Sequence, residues 1–272
     1  MKEIKTTEEL RAIQIEVLDH FDRYCKEHLL TYYLCAGTLL GAIRHHGYIP
    51  WDDDIDVMMP RGDYEKLLNE YALKDNSQYK LFNYRFQEDY PYPFSKLGDS
   101  KTSLIEAFEE NFDTGIYIDI FPIDNIPDDT GLQKKIIERR ISLKKKHQYK
   151  LFKIKKRPGI IGLVKNAIVI FLKIRYHRPS LSEICRRMDR NAISANTYCP
   201  SSHKAALTWN YTYKEIMPNE IYKETVEVEF EGKKYPAPAG WDTYLKGLFG
   251  DYMKLPPEDQ RRRHQFKAYI ID

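Results

Sequence analysis

The stretch Ile49-Pro-Trp-Asp-Asp-Asp-Ile-Asp-Val-Met-Met-Pro60 constrains the fold more than any other, because it sets carboxylates in step with residues that belong in a core. If it is a strand, Asp52, Asp54 and Asp56 share one face while Ile55 and Val57 enter the core from the other. Like charges that close raise one another's pKa and cost stability unless a cation intervenes, and an oxygen-only cluster suits Mg²⁺ or Mn²⁺. Two other readings compete. A solvated acidic turn leaves Ile55 and Val57 unexplained. An EF-hand loop, with Asp52, Asp54 and Asp56 at positions one, three and five, requires glycine where Val57 stands and glutamate where Asp63 stands. A further acid, Asp119, sits among alternating apolar residues near the end of a predicted buried strand, where a carboxylate needs a partner.

The spacing of apolar residues predicts a helix over 6–28, opened by a Thr6/Glu9 capping box. A short strand over 32–35, a turn at Ala36-Gly37 and a helix over 38–45 follow, a shape that can hold phosphate. A helix is expected over 61–71, with strands over 79–83, 94–97 and 116–121, the last ending at Pro122. Three helices are expected over 131–152, 159–175 and 180–195, then a strand over 226–230, a hairpin turn at Gly232 and a helix over 241–249. This divides the chain into a core (1–130), a basic helical insertion (131–198) and a part that completes the core (199–272).

With 42% hydrophobic and 31% charged residues, the 272-residue chain excludes disordered, collagen-like and multi-span membrane classes. Cys25, Cys35, Cys185 and Cys199 lie far apart, which predicts reduced, buried thiols rather than disulfides or a zinc site. The charged start Met1-Lys-Glu-Ile-Lys and the lack of about 20 uninterrupted apolar residues point to a cytoplasmic protein. The net charge of +3 conceals an asymmetry, since residues 134–178 hold 16 Lys or Arg and one acid, Glu138. Such a segment suggests an anionic partner, although no nucleic-acid motif accompanies it. Within it, Lys155, Gly159, Gly162, Lys165, Asn166 and Lys173 fall on one side of a helix and Ile160, Val164, Ala167, Ile168 and Phe171 on the other, with Val169 out of pattern. That helix either lies in an anionic membrane interface or packs its apolar face on the core with a solvated basic edge.

The block from Ala36-Gly-Thr-Leu-Leu-Gly-Ala-Ile-Arg-His through Trp51-Asp-Asp-Asp-Ile-Asp-Val-Met-Met-Pro-Arg61 resembles the signature of LicD-type phosphocholine transferases, which are related to fukutin-type phosphotransferases. Ile118-Asp-Ile-Phe-Pro-Ile-Asp124 is similar to the family's second block, and Trp241-Asp-Thr-Tyr-Leu with Phe249-Gly-Asp-Tyr and Arg263-His264 to its C-terminal block. The family often has paired histidines there, whereas Gln265 follows His264. The resemblance implies an α+β, nucleotidyltransferase-like fold: a mixed sheet flanked by helices, here with the basic helical insertion. It carries metal-ligand and catalytic roles onto Asp54, Asp56 and Asp119, and substrate binding onto Gly37 and Thr38. Arg44, Lys96 and His264 are candidate phosphate contacts, to be weighed against ordinary surface charge. The implied reaction moves phosphocholine from CDP-choline to a sugar hydroxyl of a teichoic acid or other surface polysaccharide precursor, releasing CMP. Because such precursors are commonly lipid-linked, the inner face of the plasma membrane becomes an expected location for the basic helix. CDP-ribitol or another CDP-alditol is an alternative donor. A DxD-type glycosyltransferase using a nucleotide-sugar is a second alternative, and a non-catalytic membrane or anionic-polymer binding module a third. The choline cation is expected to meet aromatic faces, for which Trp51, Trp209 and Trp241 are available beside 21 tyrosines.

Overall fold

The structure is a computed structural model that describes residues 1–71, 78–106, 112–151, 159–175, 178–198, 200–208, 213–261 and 266–271. It opens with β1 (Lys2–Ile4) and α1 (Thr7–Glu27), whose N-cap Thr6 hydroxyl accepts from the Glu9 N–H as the sequence predicts. Next come β2 (Tyr33–Leu34), α2 (Ala36–His45), β3 (Asp56–Pro60) and α3 (Arg61–Tyr71). They are followed by β4 (Tyr79–Phe82), β5 (Ser95–Asp99), β6 (Thr102–Glu106) and the long β7 (Ile116–Ile126). Three helices, α4 (Thr130–Leu151), α5 (Gly159–Arg175) and α6 (Leu181–Ala195), lie in the chain between β7 and β8, which pair with each other, and in that sense of chain order form an insertion. The chain continues through β8 (His203–Ala205), β9 (Met217–Pro218), the hairpin β10 (Thr225–Phe230) and β11 (Lys233–Pro238), α7 (Trp241–Phe249) and β12 (Phe266–Ile270).

The central sheet runs β2-β3-β7-β5-β4, and β8 and β9 extend it from the far end of β7. Only β3 and β7 are parallel, so the sheet is mixed and the α+β class holds. β7 is central and nearly every residue in it is buried, which is why it reads as a near-continuous apolar run. It passes through Pro122 to Ile126 rather than stopping at the proline. The pairing with β5 ends at Ile120, so that neighbour makes no demand on the N–H that Pro122 lacks. Val17, Leu18 and Phe21 of α1 and Leu67, Leu68 and Tyr71 of α3 fill the core beside the sheet. A second sheet, β1-β12-β6, covers a small cluster of Ile4, Leu10, Ile116 and Ala268. The β10-β11 turn uses Glu231 and Gly232, both at positive φ, as a two-residue hairpin requires. Glu231 then reaches back, its carboxylate accepting from Tyr48 N–H at 2.9 Å.

The insertion is fastened to the sheet by ionic contacts. Arg61, at the start of α3, donates two hydrogen bonds to Asp124 of β7, at 2.8 and 2.7 Å, and a third to Asp189 of α6 at 2.9 Å. Arg85 and the Tyr84 hydroxyl both donate to the other Asp189 oxygen at 2.6 Å. Cys25, Cys35 and Cys185 are free and buried as expected, and Cys199 lies outside the described residues.

Candidate active site

Asp56 opens β3 opposite Asp119 of β7, and Asp119 is in turn opposite Lys96 of β5. Residues in register on neighbouring strands present side chains to the same face, so two acids and a lysine form one row across three strands. Lys96 Nζ lies 3.0 Å from Asp119 Oδ1 and 4.6 Å from the Tyr92 ring centre. This lysine is buried, which removes the surface-charge reading of it.

The start of α2 grips the backbone of Asp56. Thr38 Oγ1 accepts from the Asp56 N–H at 2.8 Å, while the Asp56 carbonyl accepts from the N-cap residue, Cys35, at 3.1 Å. The helix begins at Ala36, two residues before the predicted start, so Gly37 and Thr38 lie in its first turn, where N–H groups lack partners within the helix. A Cβ on Gly37 would stand 2.7 Å from Asp52 Oδ2. Glycine thus lets that carboxylate rest at the positive end of α2.

The acidic stretch itself departs from expectation. Asp56 alone of its aspartates lies in the strand, and Asp52 to Ile55 form the loop that leads into it. Asp52, Asp54 and Asp56 therefore do not share a strand face. The loop is held from beneath by α1: Arg11 donates to the carbonyls of Ile49 at 3.0 Å and Asp52 at 3.2 Å, and Gln14 to that of Asp53 at 2.9 Å. Ile55 still enters the core, and its carbonyl accepts from Asp119 N–H at 2.8 Å.

Burial pushes the Asp56 carboxyl well above the usual carboxylate range; Asp54, Asp119 and Asp52 push it further, and Lys96 opposes them. Such a site is short of positive charge, which fits a divalent hard cation. Among the described residues, however, no three His, Cys, Asp or Glu side chains enclose an ion by themselves. Asp56 and Asp119 could offer an ion of the Mg²⁺ type the one or two carboxylates it commonly takes, with the rest of its shell left to substrate phosphates.

The other candidates lie at varying distance from the row. Arg44 donates to the Tyr252 carbonyl at 2.6 Å and to His45 Nε2 at 2.9 Å, which ties α2 to the C-terminal segment. The Arg261 guanidinium sits 4.9 Å from the Trp51 ring centre, bringing that segment against the acidic loop. His264 and Trp209 lie outside the described residues, and Trp241 packs against the core.

Two buried charges escaped the sequence reading. Glu215, raised to about 8 by burial, lies within electrostatic reach of Cys35, Tyr222 and Tyr244. The Tyr244 hydroxyl accepts from Ala36 N–H at 3.4 Å, so this carboxyl stands behind the head of α2. Arg140 of α4 pulls the Glu215 carboxyl back towards ionisation, and burial holds its own guanidinium down to about 10. Its Nε and Nη2 are buried and have no hydrogen-bond partner among the described residues. A signal for Arg140 was present, since it shares the buried side of α4 with Ile136, Ile137 and Leu143. Glu215 ends a single 3-10 turn (Tyr213–Glu215), too short for periodicity to mark it.

Comparison with known proteins follows the same residues. A family model described as the LicD/FKTN/FKRP nucleotidyltransferase domain matches residues 29–158, which include Gly37, Thr38, Asp54, Asp56, Lys96 and Asp119. The chain is 30% identical over 273 aligned residues to the lipopolysaccharide cholinephosphotransferase LicD of Haemophilus influenzae, covering 98% of each protein. Shorter matches occur to uncharacterized proteins of Rickettsia typhi (37% over 60 residues, 19% of each chain) and Rickettsia prowazekii (57% over 28 residues, 10% of each). With the likeness to the Haemophilus protein running end to end and Asp56, Asp119 and Lys96 side by side on adjoining strands, the chain belongs to the LicD family.

Proposed function

We propose that this protein transfers phosphocholine from CDP-choline to a hydroxyl of a surface glycan precursor and releases CMP. The observation that carries the reading is the row Asp56, Asp119, Lys96 with the head of α2 gripping Asp56, in a chain alike over its whole length to a lipopolysaccharide cholinephosphotransferase. The acceptor oxygen bonds to the phosphorus that bears choline, and the bond from that phosphorus to the CMP oxygen breaks, with CMP keeping the electron pair. Asp119, paired with Lys96 at 3.0 Å, takes the hydroxyl proton. Gly37 and Thr38 N–H groups, freed of intrahelical partners, face the phosphates, with Arg44 and His264 as further contacts. Asp56 and Asp119 would hold Mg²⁺ or Mn²⁺ together with substrate phosphate oxygens, with Asp54 of the acidic loop within electrostatic reach, and the ion would supply charge neutralisation on those oxygens.

The decisive assay follows the nucleotide product with CDP-choline, CDP-ribitol or UDP-sugars as donor and a lipopolysaccharide-type or teichoic-acid-type oligosaccharide as acceptor. CMP release with a phosphocholine mass gain on the glycan is expected; UDP release from a UDP-sugar with none from CDP-choline would overturn the reading. Asp56→Asn should lower turnover about a thousandfold, ~4 kcal/mol. A carboxyl whose folded pKa is raised above its unfolded value opposes folding at neutral pH, so the same substitution should raise the thermal midpoint. Added Mg²⁺ should raise the midpoint of the parent protein and leave that of the variant unmoved. Equal Mg²⁺ responses would remove the metal from the proposal.

A further inference from the structure

The apolar side of α5 faces away from the protein. Gly162 is its buried residue, and Asn166, Val169, Leu172 and Lys173, along the same side, are half-buried. Ile160 (80% exposed), Ile161 (71%), Leu163 (70%), Val164, Phe171 (64%) and Ile174 (71%) face outward. A helix that packs on a core does the reverse, so the core-packing expectation for this segment is corrected. Large apolar side chains gathered on 17 residues form a continuous exposed patch, which marks an interaction surface.

Charge identifies the occupant. Lys165 projects from α5 itself, and Lys134, Lys135, Arg139 and Lys145 are exposed on α4, which packs alongside. Residues 134–178 carry 16 basic side chains and one acidic. A second copy would set this charge against its own kind, so self-association through α5 meets repulsion. A single surface that offers both an apolar phase and dense negative charge is an anionic lipid bilayer. Among the described residues no helix is long and apolar enough to cross a membrane, so α5 must lie along the surface.

We propose that α5 is an interfacial helix that seats this protein on an anionic bilayer, its outward apolar side in the boundary between headgroups and acyl chains and the lysines of α4 and α5 on the phosphates. The claim concerns binding alone and is read without any donor or acceptor present, so it stands or falls apart from the transfer reaction.

The test is flotation of the full chain with vesicles of phosphatidylglycerol and phosphatidylcholine, against vesicles of phosphatidylcholine alone. Binding to the first, much weaker binding to the second and loss in 0.5 M salt (about a 4 Å screening length) are expected. The double variant Leu163→Asp, Phe171→Asp replaces exposed residues, so its circular dichroism and thermal midpoint should match the parent, while partitioning falls at least ~tenfold. Lys145→Gln and Lys165→Gln should each lower binding to the anionic vesicles roughly fivefold. The proposal is overturned if the chain floats with neither vesicle or if the double variant floats as well as the parent. It is equally overturned if light scattering finds a dimer that Leu163→Asp dissolves while vesicles are ignored.

Discussion

Glu215 shows what a single buried carboxyl costs this molecule. Its folded pKa of about 8 exceeds the model-peptide 4.5, and burial is the first cause. Below pH 4.5 the group is protonated in both folded and unfolded chains and contributes nothing. As pH rises from there to about 8 the unfolded chain ionises while the folded one resists, so stability falls by up to about 1.4 kcal/mol per pH unit. Glu215→Gln should abolish that contribution, giving a variant whose stability advantage over the parent grows between pH 5 and 8. Urea midpoints at four pH values would show it, and two parallel curves would refute the assignment. Arg140 faces the same carboxyl from α4, and the helical spacing that sets it beside Ile136, Ile137 and Leu143 marks it as buried without telling what it meets. By contrast Asp56 and Asp119 were legible, because each is a carboxylate set among the apolar residues of a strand, although the alternation through Asp52 and Asp54 belongs to a loop. A residue's chemistry is readable where it breaks a periodic pattern and hidden where there is no pattern to break.

Helix α2 divides its glycines between two tasks that a mutational pair can separate. A Cβ on Gly41 would come within 2.4 Å of the Gly47 carbonyl oxygen, which is backbone and cannot swing aside. A Cβ on Gly37 would meet only the end of the Asp52 side chain, at 2.7 Å, which can rotate. Gly41→Ala should therefore cost about 1–3 kcal/mol of stability by prising the helix from the loop at 47–49. Gly37→Ala should fold as well as the parent, since alanine favours the helix by about 1 kcal/mol, yet displace Asp52 from the helix head and slow transfer at least ~tenfold. Thermal melts beside turnover measurements check both, and a reversed order of stability would show the contacts misjudged. The long helices were legible to within a residue or two: α5 and α7 begin and end where apolar spacing and flanking glycines place them. The strands were less so. β3 starts four residues after Asp52, because Arg11 and Gln14 claim the backbone of the acidic loop, a tertiary contact that alternation cannot report. β1 and β6 were missed, being three and five residues long and dependent on β12 for pairing.

At the scale of the whole molecule, basic residues serve two distinct ends, and composition alone merged them. The exposed lysines of α4 and α5 form a surface, whereas Arg61 and Arg85 lie outside the basic run and act as fasteners, drawing Asp189 of α6 against Asp124 of β7. Asp189 is only 2% exposed, and it takes bonds from Arg61, Arg85 and Tyr84 together. Asp189→Ala would leave Arg61 facing a gap at the joint between insertion and sheet, and loss of one partner from a buried ion pair typically costs about 3–5 kcal/mol. For a chain of this size that is a fall in thermal midpoint of roughly 10 °C. Glu65 pairs with the same two arginines but stands partly in solvent, so Glu65→Gln should cost under about 1 kcal/mol. Calorimetry on the two variants separates fastener from ornament: comparable losses would mean that Asp189 is not the joint. If it is, the insertion carrying α5 is locked to the strand that bears Asp119, and anything that seats α5 also sets the orientation of the Asp56, Asp119, Lys96 row.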